Sequence, residues 1–146
     1  MMRKIFVILT LLWMLAIFGF SAQDADESSQ MSLGIGKAVG EVFVEEYDTW
    51  PSEKQLSFVE TIELPIRKAA HVSEYTLLGI LLMGAWCGRW KWAFFTGAAY
   101  AACDEFHQLF VPGRSGQFTD VCIDSTGVIL GILIFCLFRR IISEKR

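Results

Sequence analysis

The chain has 146 residues, room for one domain, and 53% of them are hydrophobic against 20% charged, with 12 Phe and 5 Trp. That balance and a mean hydropathy of +0.43 exclude an ordinary soluble domain and make a membrane protein the default class. The net charge of −3 comes without a basic stripe to meet phosphates, so no nucleic-acid partner is expected.

Met1-Met2-Arg3-Lys4 precedes an apolar run from Ile5 to Phe20. Phe20 stands where a cleavage site ending at Ala22 requires a small side chain. The run therefore reads as a retained helix over about 4–22, long enough to cross ~30 Å of hydrocarbon. Residues 23–64 form an acidic outer loop holding Asp24, Asp26, Glu27, Glu41, Glu45, Glu46, Asp48, Glu53, Glu60 and Glu63. Within it Ile35, Val39, Val42 and Phe43 recur at helical spacing, Leu56, Val59 and Ile62 do so less strongly, and Pro51 suits the first turn of a helix. Two short amphipathic helices lying over the membrane domain are expected.

Pro65 restarts the chain. A second helix is predicted over about 65–87, polar in its first half (Arg67, Lys68, His71, Ser73, Glu74) and apolar beyond it. Gly88-Arg89 is a turn. A third helix covers about 90–110, apolar first and polar last, with Thr96, Tyr100, Asp104, Glu105, His107 and Gln108. Val111 to Gly116 is a loop of turn residues, and a fourth helix covers about 117–138, closed by Arg139-Arg140. The expected fold is all-α, a single domain over 1–146 built as a bundle of four transmembrane helices with a short helical outer loop. Cys87, Cys103, Cys122 and Cys136 fall singly in apolar segments, and Cys103 with Cys122 is the one pairing worth testing.

Lys and Arg near the segment ends set the orientation. With the N-terminus in the cytoplasm, Arg3, Lys4, Arg89, Lys91, Arg139, Arg140, Lys145 and Arg146 lie inside, and Lys37, Lys54, Arg67, Lys68 and Arg114 lie outside among the acids of the loop. Both termini are then cytoplasmic. His71, Asp104 and Asp124 fall at one depth, ~9–10 Å in from the outer ends of their helices at 1.5 Å per residue. A carboxylate at the centre of a membrane helix costs at least ~2.5 kcal/mol, so these groups should face a shared interior rather than lipid.

Helical spacing places Lys68, His71 and Tyr75 on one stripe with Glu74 beside it, Asp104 under Gln108, and Asp120 over Asp124. Gly127 and Gly131 form a Gly-x-x-x-Gly helix-packing pair. The expected outward-facing pocket is drawn from Lys68, His71, Glu74, Tyr75, Asp104, Glu105, Gln108, Arg114, Asp120 and Asp124. Three chemistries fit it. A metal site would use His71 and Glu74 with Glu105, Asp120 or Asp124 on Zn²⁺ or Mn²⁺. An acid/base site would pair Glu105 or Glu74 with His71 on a lipid-linked ester or phosphate. A polar network would use Lys68, Arg114 and His71 to neutralise the acids and hold an anionic ligand. The incomplete His set and the lack of a nucleophile and base pair favour the third, so no metal, no cofactor and no enzymatic activity are expected. A network that only glues helices together is the structural alternative.

The run from Arg67 to Gly79 carrying Lys68, His71, Glu74 and Tyr75, the run Asp104-Glu105-Phe106-His107-Gln108 leading to Val111-Pro112-Gly113-Arg114-Ser115-Gly116, and the run from Asp120 to Gly127 carrying Asp124 closely resemble the VanZ-like family. Phe20-Ser21-Ala22-Gln23 is similar to that family's Phe-Ser-x-Gln. The resemblance covers nearly the whole chain. It implies a small bacterial plasma-membrane protein of four helices, related to a founding member associated with teicoplanin resistance and to relatives linked to lipoglycopeptide tolerance. Its shared polar positions fall on Lys68, His71, Glu74, Asp104, Glu105, Gln108, Arg114, Asp120 and Asp124. Position 124 is Asn in many members and Asp here, so the resemblance implies no strict need for a carboxylate there. The expected function is binding of an anionic envelope component, a lipid-linked cell-wall precursor or a lipid head group, with membrane lipids as partners. The alternative is a membrane-embedded enzyme that modifies or hydrolyses such a lipid.

Overall fold

The structure, a computed structural model, describes residues 2–144. Met1 lies outside the described residues, as do Lys145 and Arg146 of the basic inner set. The regular structure of the described residues is all helix, with no strand: α1 (Met2–Ser21), α2 (Ala25–Phe43), α3 (Ser52–Ala85), α4 (Trp90–Gln108) and α5 (Phe118–Glu144), with a 3₁₀ turn at Tyr47–Thr49.

The acidic segment departs most from expectation. Asp24 caps α2, its side chain accepting from the Glu27 amide at 2.8 Å, and Asp26 and Glu27 complement the positive end of the helix dipole. The face of α2 that packs on α3 is the small-residue stripe Ser28, Ser32, Gly36 and Gly40, all buried. A methyl at Gly36 would lie 2.9 Å from Val59, and one at Gly40 would lie 2.5 Å from the Tyr47 ring. That close approach leaves Val42 and Phe43 of the expected buried face pointing away, exposed by 73% and 79%, and sets Ile35 and Val39 at its edge.

The second correction concerns the helix predicted over 65–87. It begins at Ser52 and passes through Pro65 as one helix of 34 residues, merging the second outer helix with the second membrane segment. Pro65 removes the amide that would bond the Thr61 carbonyl, a defect worth ~3 kcal/mol or more in a helix interior. Both residues lie on the exposed side, and α3 is packed on either side of the defect, against α2 before it and against α1 and α5 beyond it. At its other end α3 closes with a Schellman motif in which the Gly88 amide bonds the Met83 carbonyl (2.8 Å) and the Cys87 amide bonds that of Gly84 (3.2 Å). Cys87, not glycine, takes the left-handed position at φ 53°. The fourth predicted helix also runs on past 138 to Glu144, and within that extension Arg140 pairs with Glu144 one turn later at 2.9 Å.

α1, the second half of α3, α4 and α5 lie side by side with matching ends. At one end Arg3 Nε donates to the Ala85 carbonyl at 3.3 Å, and a side chain at Gly88 would meet Arg139 at 2.7 Å. At the other end Ser21, His71, Asp104 and Asp124 gather. Ile17, Tyr75, Leu78, Met83, Ala93, Ala101 and Val128 fill the core between, while Leu11, Leu12 and Leu15 on α1 and Leu133 and Leu137 on α5 face outward. By length and composition α1 and α5 are able to cross a membrane, with mean hydropathies of 2.1 and 2.4. All four cysteines are free and exposed.

α3 and α5 make the closest contact. A Cβ at Gly127 would lie 2.7 Å from the Val72 carbonyl oxygen, one at Gly79 would lie 2.5 Å from that of Val128, and one at Gly131 would overlap that of Thr76. Backbone cannot rotate aside as a side chain can. Gly131→Ala should therefore destabilise the fold by about 1–3 kcal/mol, the usual cost of overpacking, when thermal unfolding is followed by circular dichroism in detergent. Gly34→Ala, where nothing lies within 4 Å, should be neutral or stabilising by up to ~1 kcal/mol.

Candidate functional site

The gathered ends of the four helices hold a buried polar cluster. α4 contributes Asp104 (2% exposed), Glu105 (4%) and Gln108 (3%), α5 contributes Asp124 (0%), α3 contributes Tyr75 (0%), and α1 ends on Ser21 (3%). Apolar burial of this kind excludes water, so each polar atom needs a protein partner or a ligand.

Asp104 is held by two helices at once. Its Oδ2 accepts from Ser21 Oγ at 2.8 Å and from Tyr75 OH at 3.2 Å, while its Oδ1 is buried without a partner. Across from it, Asp124 has neither carboxylate oxygen in a hydrogen bond. His71 Nδ1 stands 3.5 Å from Asp124 Oδ1, outside hydrogen-bond geometry, and is likewise buried and unpartnered. Donor atoms of His71, Asp104 and Asp124 all fall within 4.8 Å of one another.

Glu105 plays a different part. Its Oε2 accepts from the Gln117 backbone amide at 2.9 Å and its Oε1 from Gln108 Nε2 at 3.1 Å, so it fastens the start of α5 to α4. Gln108 Oε1 in turn accepts from Arg114 Nη1 at 3.5 Å, and Arg114 Nε donates to the Gln23 carbonyl at 3.3 Å. The loop carrying Arg114 is drawn under the junction of α1 and α2, where the Ala25 amide bonds the Pro112 carbonyl at 3.2 Å. Gly113 has a φ of 72° and leaves only 2.8 Å between a Cβ and that of Ala25, so a side chain there is opposed twice over.

Beside the cluster lies a cavity of about 240 Å³ between α1, α2, α3 and the Arg114 loop. Of the ten residues predicted for the pocket, His71, Glu74 and Arg114 line it. Tyr75, Asp104 and Asp124 lie behind His71 in the buried cluster, and Glu105 and Gln108 brace the loop. Lys68 and Asp120 stand apart as an ion pair on the flank of α3 and α5, where Lys68 borders a separate depression with Val72, Thr76 and Ile80. Lys68 thus neutralises Asp120 alone.

The sequence reading missed four contributors. Ser21 holds Asp104, Arg67 lines the cavity, and Ser28 and Ser32 of α2 form its far wall. Arg67 donates to Glu63 at 2.6 Å and to Ser29 at 2.9 Å, and its Nε is buried without a partner. A signal did exist for Ser21 and Gln23, the Phe-Ser-x-Gln pattern. Nothing in the sequence tied the serines of α2 to the site.

An all-helical chain with two strongly apolar helices and charged groups sealed at one end of its bundle belongs to the class of small helical membrane proteins. The chain is a member of the VanZ/LLP1 family, whose model matches residues 6–139. No curated protein and no solved structure matches it.

The arrangement around Asp104 makes a prediction. Ser21→Ala and Tyr75→Phe each remove one donor from a buried carboxylate, and each should cost about 1–3 kcal/mol of stability. Because both act on the same oxygen, the double variant should depart from additivity by more than ~0.5 kcal/mol in a double-mutant cycle of denaturant unfolding.

Proposed function

We propose that this chain is a four-span protein of the bacterial plasma membrane whose cavity faces outward and binds the anionic head group of an envelope lipid, without chemistry of its own. The spans are α1, the second half of α3, α4 and α5. Supporting this are the matched ends of these helices, the outward leucines of α1 and α5, and the grouping of Arg3, Arg89 and Arg139 at the end away from the cavity, which the positive-inside rule assigns to the cytoplasm.

One observation carries the ligand class. Arg114 is half-buried at the cavity wall, bonded only to neutral carbonyl oxygens, and forms an ion pair with no carboxylate among the described residues. Burial first, and the nearby charge of Arg67 second, lower its pKa from the ordinary arginine value. An anion between the two guanidinium groups would relieve both effects, and the fork geometry of arginine suits phosphate.

The cavity's size and lining narrow the choice. At about 240 Å³ it falls short of the ~300 Å³ at which pockets for drug-sized ligands begin, so a head group fits and an intact glycopeptide does not. Phe20, Met31, Ile35 and Ile66 supply an apolar side for the first methylenes of a lipid chain. Binding of a phosphate-bearing precursor lipid at the outer surface would link the pocket to tolerance of teicoplanin-type antibiotics, the role associated with the family's founding member.

The test compares a polyprenyl phosphate with the corresponding polyprenol on detergent-purified protein. The phosphate lipid should bind at least tenfold more tightly, and Arg114→Ala should lose ~10- to 100-fold, the worth of hydrogen bonds to a charged group. Equal binding of the two lipids would remove the anionic-ligand reading. In a sensitive bacterial host at matched membrane levels, wild type should lower teicoplanin susceptibility and Arg114→Ala should not.

A further inference from the structure

The polar cluster behind the cavity contains more negative charge than its neighbours can neutralise. Asp104 and Asp124 are 2% and 0% exposed, and Glu74 faces His71 from the same helix. Of the cations in reach, Lys68 is taken by Asp120 and Arg67 by Glu63, while Arg114 is turned to Gln108 and Gln23. The remaining group, His71, is at hydrogen-bond distance from neither Asp104 nor Glu74, and its Nδ1 meets Asp124 Oδ1 at 3.5 Å without forming a hydrogen bond. Hydrogen-bond donors are equally scarce: Ser21 and Tyr75 both go to Asp104 Oδ2.

What is left is a set of buried lone pairs pointing at one another. Asp104 Oδ1, Asp124 Oδ1 and Oδ2, and His71 Nδ1 have no partner, and one donor atom from each of the three residues lies within 4.8 Å of the others. We propose that His71, Asp104 and Asp124 together bind one divalent transition-metal ion. Donors 2.0–2.2 Å from a tetrahedral ion stand ~3.4 Å apart, so the 3.5 Å from His71 Nδ1 to Asp124 Oδ1 already matches, and the set, within 4.8 Å throughout, closes by a movement of at most about 1.4 Å. Oδ2 of Asp104, which already accepts hydrogen bonds from Ser21 and Tyr75, then orients the carboxylate and leaves Oδ1 for the metal.

One imidazole nitrogen and two carboxylates suit Zn²⁺ or Mn²⁺ better than Mg²⁺ or Ca²⁺, which prefer all-oxygen cages. Two carboxylates and a divalent ion sum to zero, so the ion also removes the negative field that an anion entering the cavity would otherwise meet. Three protein donors leave further coordination positions free, and His71 lines the cavity. The metal site stands without the lipid reading, since it is measured with no lipid present. A chain that binds metal but no phosphate lipid overturns the anionic-ligand reading and leaves the site intact.

The experiment uses the full chain purified in detergent, stripped with EDTA, dialysed against Zn²⁺ or Mn²⁺ and assayed for metal content. Wild type should hold one equivalent, and Co²⁺ in its place should give visible d–d absorption that shifts in His71→Gln. Asp104→Asn and Asp124→Asn keep the side-chain shape and should fall below a tenth of an equivalent, while Glu41→Gln, exposed on α2 away from the cluster, should stay at one. Less than a tenth of an equivalent in wild type with a native circular dichroism spectrum overturns the proposal. So does full loading of both asparagine variants.

Discussion

The closeness of α3 to α5 governs everything at the polar end of the bundle. Gly79, Gly127 and Gly131 let one helix lie on the backbone of the other, and that contact fixes their register. Val72, whose carbonyl faces Gly127, is next to His71, and Asp124 sits one turn before Gly127. With the glycines seated, His71 and Asp124 have no choice but to meet. A methyl group at any of the three would separate the helices and, with them, the two halves of the cluster. In lipid, where apolar burial gives little reason for helices to associate, close backbone packing of this kind is a main source of association.

On that frame the polar residues divide by how well they are satisfied. Glu105 accepts from two donors and works as a clasp between α4 and α5, and Gln108, Arg114 and Gln23 extend the clasp to the end of α1. Asp104 is half satisfied, with one oxygen held from α1 and α3 and the other free. Asp124 has no hydrogen bond at all, although it is fully buried. A clasp that served only to join helices would use its acceptors, as Glu105 does. Leaving both oxygens of Asp124 unused costs more than replacing it with an apolar residue would. The gradient from Glu105 through Asp104 to Asp124 therefore separates residues that build the site from those that await a ligand.

Much of this was legible from residue types and spacing. Charged groups in the most apolar stretches, at one distance from the ends of three helices, pointed to His71, Asp104 and Asp124, and the Gly-x-x-x-Gly pair pointed to the face they share. The failures have a common cause, which is reading side chains without their partners. Pro65 looked like a helix start because the local cost of proline is visible in sequence, whereas the packing on either side of it is not. The apolar stripe of α2 looked like its buried face because hydrophobic periodicity ignores how closely a neighbour can approach. Small side chains at Ser28, Ser32, Gly36 and Gly40 let α2 lie close on its neighbours, and that face turns inward instead. Lys68 looked like part of the pocket because it shares a stripe with His71, yet Asp120 on α5 claims it first.

The uneven hydropathy of the helices follows from the same division of labour. Among the described helices α1 and α5 alone are strongly apolar: the charged residues of α5 stand toward its two ends and leave 125–138 uncharged, whereas those of α3 and α4 leave shorter uncharged runs. Each charged group at a bilayer centre costs ~2.5–3.5 kcal/mol on insertion scales, a cost that falls toward the interface. A helix of this kind can bear several such groups only when they are confined to one end and turned away from lipid. In α3 they stop at Glu74 and are followed by the apolar run from Tyr75, and in α4 Asp104 and Glu105 come only after the apolar run from Trp92. On the four-span reading a site on one side of the membrane is the single arrangement that lets both helices carry these residues. The polar end and the apolar end of the bundle are thus two consequences of one constraint.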